Sequence, residues 1–139
     1  MVKDRVNVDE STFDFYKNSM IFADSDNDRK DQYLLAVAIG YNSGLGKKPI
    51  EKSHQLVLSK YFNERDWALL RAVAIADTGN TAVVSNVDEI LSISEEYANM
   101  GIIRLQSLEN DNSYDEIMIS FQKLVNNHLK SLNINNDEM

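Results

Sequence analysis

The chain of 139 residues contains no cysteine. That absence removes disulfide scaffolds, thiolate zinc sites, iron–sulfur clusters and cysteine nucleophiles together. Proline occurs once, at Pro49, and glycine five times. Three of those glycines fall with the proline inside residues 40–49, so this stretch reads as the main interior loop. Positive charge is scarce, with 14 Lys and Arg against 22 Asp and Glu and a net charge of −8. Neutralising phosphates needs surplus bases, which argues against a general nucleic-acid binder and equally against a surface held by anionic lipid. Long apolar runs are missing too. The longest, residues 34–39, is far short of the roughly 20 residues of a membrane-spanning helix. The first ten residues are mixed in charge and lack the apolar stretch of a secretory signal. The expectation is a soluble, cytoplasmic protein.

What is present suits an ordinary core. Hydrophobic residues make up 43% of the chain and twelve are aromatic, in a length that fits one domain. Phe13, Tyr16 and Met20 recur at helical spacing and predict a short helix over 10–22. Residues 28–39 predict a second helix, apolar almost all round and therefore buried, with Gly40 as its C′ residue. Leu56 to Phe62 fits either a short strand or a helical turn, so a short strand pair near 50–62 stays open. Asn63 as N-cap, with acids in the first turn, opens a helix ended by Thr78-Gly79-Asn80. The next starts after Ser85 or Asn86, with a buried stripe from Val87 through Ile90, Leu91, Ser94, Tyr97, Ala98, Gly101, Ile102 and Leu105 to Leu108. Gly101 is a point where that helix weakens or ends. A last helix spans 113 to about 132 and includes His128. The fold class is all-α, a single compact domain of about five helices over 1–139, with 1–8 and 133–139 frayed.

The charge is uneven along this chain. Residues 1–62 hold nine bases and nine acids, whereas residues 63–139 hold five bases and thirteen acids and so carry the whole −8. Such asymmetry bears on partner choice rather than on fold.

Few local patterns resemble chemistry. Asp24-Ser-Asp26-Asn-Asp28 opens like a calcium loop, but an EF-hand requires glycine and glutamate where Arg29 and Leu35 stand. A helix N-cap explains the cluster more simply. Gly44-Leu-Gly46-Lys47-Lys48 lacks both the earlier glycine and the following Ser or Thr of a phosphate-binding loop. What remains is a small basic loop, Lys47, Lys48 and Lys52, able to contact phosphate or an acidic surface. His54 and His128 are not at metal-ligand spacing. The sequential acids Glu95-Glu96 and Asp115-Glu116 diverge on a helix and read as solvated faces. A helix-turn-helix over 63–77 and 86 onward would present Asp88, Glu89, Glu95 and Glu96 to DNA, which is repulsive. No catalytic constellation, metal site or cofactor site emerges, and a non-enzymatic protein is expected.

The order of several segments carries a resemblance. A buried Tyr33-Leu-Leu-Ala-Val-Ala-Ile-Gly40 precedes the glycine-rich, basic loop ending at Pro49. Asn63-Glu-Arg-Asp-Trp-Ala-Leu-Leu70 follows, then Ala74-Ile-Ala-Asp-Thr-Gly79, and finally Ile93-Ser-Glu-Glu-Tyr-Ala-Asn-Met-Gly-Ile102. Over roughly residues 20–110 the chain resembles the Dnd system-associated protein 4 family, small proteins found beside DNA phosphorothioation genes. It differs at Met100, where a second glycine is typical, and at Lys47-Lys48, where arginines are. The resemblance implies a setting in modification, restriction and antiphage defence linked to sulfur-modified DNA, and no catalytic residues. The expected function is that of an accessory protein binding other protein components through its acidic helical half, which suits a basic partner. The alternative is a DNA-binding or regulatory module that uses Lys47, Lys48 and Lys52 on phosphate.

Overall fold

In a computed structural model, which describes residues 3–19, 22, 29–111, 119, 122, 123 and 125–127, the N-terminal segment is a strand rather than a frayed end. Arg5-Val6-Asn7-Val8-Asp9 alternates polar and apolar side chains, the period of a half-buried strand. It forms β1 (Arg5–Asp9), with Val6 fully buried and Val8 nearly so. The expectation of fraying over 1–8 is therefore corrected from residue 5 on. The partner is β2 (Ser53–Leu58), antiparallel, with Val6 opposite Val57 and Asn7 opposite Gln55. This register leaves Leu56 as an extra residue, a bulge that bends the strand. A strand near 50–62, one of the two readings open for this segment, thus exists, but it pairs with the distant N-terminal segment and not with a local neighbour. A 3₁₀ turn, Ser59–Tyr61, follows β2 directly, so residues 55–62 contain strand and helical turn in succession.

The other regular elements among the described residues are helical. Helix α1 (Glu10–Asn18) starts at the end of β1, where the Asp9 carboxylate caps it by accepting from the Ser11 N–H. It ends four residues short of the expected Phe22. Helix α2 (Arg29–Asn42) runs through Gly40, which is therefore no C′ residue. Helix α3 (Glu64–Thr78) has the anticipated start. Asn63 accepts from the Asp66 N–H while the Asp66 carboxylate accepts from the Asn63 N–H, both at 2.9 Å. Gly79, at φ 68°, closes it in the left-handed conformation, with its N–H on the Ile75 carbonyl. A short 3₁₀ helix, Thr81–Ser85, leads into α4 (Val87–Asp111), which continues through Gly101 without a break.

Gly40 and Gly101 survive inside helices because they face each other. A Cβ on Gly40 would stand 1.8 Å from the Tyr97 carbonyl oxygen, and one on Gly101 would stand 1.9 Å from that of Ala36. The α2 and α4 backbones therefore touch, and the cost of helical glycine is offset by packing no other residue permits. Around this crossing lie Tyr33, Val37, Leu70, Ile90, Leu91, Ile102 and Leu105, all buried. The described residues are mostly helical, with one short two-stranded sheet among them. Positions 119, 122, 123 and 125–127 are helical. The rest of the expected last helix, His128, Asp115-Glu116, Asp24 to Asp28 and the tail 133–139 lie outside the described residues. No helix among the described residues is long and apolar enough to cross a membrane.

Candidate functional site

The loop that carries Lys47, Lys48 and Lys52 lies strapped across α4. The Lys48 N–H donates to the Glu96 carbonyl at 3.1 Å, and Asn99 Nδ2 donates to the carbonyls of Lys48 and Pro49, each at 3.2 Å. Farther on, the Glu51 N–H donates to Asp9 Oδ2 at 2.9 Å and the Glu10 N–H to the Lys52 carbonyl at 2.8 Å. The hydrogen bond from Glu51, and then those from Ser11, hold the Asp9 carboxyl below its ordinary range. One carboxylate thus caps α1 and ties down the loop.

The three lysines do not converge. Lys47 Nζ sits 2.8 Å from Asp77 Oδ2, in the last turn of α3. A carboxylate there opposes the negative end of the helix dipole, so Asp77 needs partners. It has two, since Tyr97 Oη donates to Asp77 Oδ1 at 2.7 Å. Partial burial pushes the Asp77 carboxyl up, but the lysine and tyrosine outweigh it and hold the group below its ordinary range. The carboxylate in turn raises Lys47. Burial first, and then Asp77, lift Tyr97 to about 12. None of the three changes charge near neutrality, so the trio braces loop, α3 and α4 and is not poised to move a proton. Lys52 pairs with Glu10 at 2.8 Å, an exposed contact worth little. Lys48 is exposed and makes no ion pair with a described residue. A phosphate on this loop would have to compete with Asp77 and Glu10 for two of its three ammonium groups.

Glu95 departs from the reading of a solvated acid. It is 6% exposed, with Lys3 Nζ 2.7 Å from Oε1 and the Asn7 N–H donating to Oε2. Both donors come from the segment expected to fray, which is why the burial could not be foreseen. Desolvation lifts its carboxyl above the ordinary value, and Lys3 and the Asn7 N–H only partly counter it. Beside it, Tyr33 donates to Ser94 Oγ, which donates to the Leu91 carbonyl. His54 lies on the surface, its ring centroid 4.0 Å from that of Phe13. Among the described residues no three His, Asp or Glu side chains gather where a metal ion could be held.

Sequence reasoning passed over the outer face of α3. Ala68, Ala72 and Ala76, one per turn, are exposed. The adjoining 3₁₀ helix adds Val84, 42% exposed. Leu70, Val73 and Ala74 are the buried residues of α3, while the solvent side carries the three alanines together with Arg65, three residues before Ala68 and seven before Ala72. The stripe of small apolar side chains beyond Arg65 meets solvent. The signal was legible as Ala68-x-x-x-Ala72-x-x-x-Ala76.

Comparison with known proteins finds no family whose model matches the chain, no similar curated protein and no matching solved structure.

Proposed function

We propose that the protein is a non-enzymatic accessory module that docks on another protein through the outer face of α3. The observation behind this is the apolar stripe of Ala68, Ala72 and Ala76 on a helix already apolar on its buried side. Small side chains let a partner backbone approach closely. The acidity of residues 63–139 is in part answered within the molecule, since Asp66, Asp77 and Glu95 pair with Lys30, Lys47 and Lys3. Glu64 and Glu89 remain exposed near the starts of α3 and α4 and suit a partner with bases around an apolar centre. The resemblance of segments 33–40, 74–79 and 93–102 supports a setting among components of DNA phosphorothioation-linked modification and restriction.

Co-expression with the products of neighbouring genes, followed by gentle purification and cross-link mapping, tests the reading. A complex with cross-links on α3 is expected. Ala72→Glu should cut recovery of the partner at least tenfold while changing stability by no more than about 0.5 kcal/mol, as usual for an exposed position. A protein that purifies alone, or a complex indifferent to Ala72→Glu, overturns it.

A further inference from the structure

A second surface lies away from α3, between α2, α4 and the helical positions 123 and 125–127. It is a groove of about 470 Å³, within the about 300–1,000 Å³ that small-molecule sites span. Leu35, Ala38 and Ile39 supply one wall, and Leu105 and Val125 contribute to the others. Its described lining contains no acid and two bases, Arg104 and Lys123. That is unusual in a chain of net charge −8, and residues 63–139 contain only five bases in all. Lys3, Lys30, Lys47 and Lys52 each pair with a carboxylate, whereas Lys48, Arg65 and Arg71 are exposed but lie outside the groove. Arg104 and Lys123 are exposed and have no such partner among the described residues.

We propose that this groove binds a small amphipathic anion, an apolar chain ending in a single carboxylate. The chain would lie along Leu35, Ala38 and Ile39, where contact removes apolar surface from water. Arg104 offers a planar pair of donors that matches a carboxylate, and Lys123 adds a second positive charge. The groove is distinct from the α3 face, so this proposal and the docking of a partner protein stand or fall separately.

Calorimetric titration of the full chain with decanoate, with decanol as the uncharged control, tests it below the concentrations at which either probe aggregates. One decanoate per chain should bind saturably, at least tenfold more tightly than decanol. Arg104→Ala with Lys123→Ala should lower decanoate binding to the decanol level and leave decanol unchanged. Ala38→Phe, which fills the wall and keeps both charges, should abolish binding of both. Both charged side chains are exposed, so the double variant remains informative even if Ala38→Phe fails to fold. Absent or non-saturable uptake, equal affinity for the two probes, or undiminished decanoate binding in the double variant overturns the proposal.

Discussion

A methyl group at Gly101 would stand 1.9 Å from the Ala36 carbonyl oxygen, and neither backbone can yield without parting α2 from α4. Gly101→Ala is therefore expected to destabilise the fold by about 3 kcal/mol, at the upper end of the overpacking range, despite alanine's better helix propensity. Urea unfolding decides it, and a stabilised variant would contradict the close crossing. From the sequence Gly101 reads as an interruption of the helix, which it is not, and its contact with α2 stays hidden, because spacing along one helix does not reveal what faces it. Glu95 gives a second residue-scale expectation. Burial raises its folded pKa, so between the ordinary 4.5 and that higher value the native state holds more protons than the unfolded one. Stability contributed by this group then falls as pH rises through that window. Glu95→Gln removes the titration, so the stability of the parent relative to the variant should decline with rising pH above 4.5. Unfolding measured at a series of pH values checks the sign. A difference that is flat or grows with pH would mean Glu95 is not desolvated.

Among the elements, α3 was the most legible, because its signals are local. Asn63 and Asp66 form their capping box within four residues, and Gly79 ends the helix by its own φ. Asn63→Ala should cost about 1 kcal/mol, read by thermal or urea unfolding. A loss well under 0.5 kcal/mol would mean that packing alone sets the start of α3. The loop 43–52 shows the opposite case. Its glycines and Pro49 marked it as a loop, but nothing local showed that Asn99 and Asp9 hold it down or that Asp77 takes up Lys47. Basic residues in a loop were a reasonable sign of an anion site. The carboxylates that meet two of them lie far off in the sequence.

For the whole molecule, the consequential element is β1. It buries Val6, pairs with β2 and supplies the Asn7 N–H to Glu95, with Lys3 just before the strand adding the second donor. Val6→Ala should cost about 2 kcal/mol, as for deletion of buried methyls, whereas in a frayed end it would change stability by less than about 0.5 kcal/mol. Guanidinium unfolding separates the two. The alternation over Arg5 to Asp9 was present in the sequence, but a five-residue period-two signal at a terminus carries little weight without a partner strand. The sequence by itself determined the helical class, the ends of α3, the loop around Pro49 and the exclusion of cysteine chemistry, because composition, caps and turn residues act locally. Only the tertiary structure decided that the glycines of α2 and α4 meet, that Glu95 is buried and that the bases near Asp77 and Glu10 are spent. It also decided that the alanine stripe of α3 faces water. Each of these depends on pairs distant along the chain, and distance in sequence sets no distance in space.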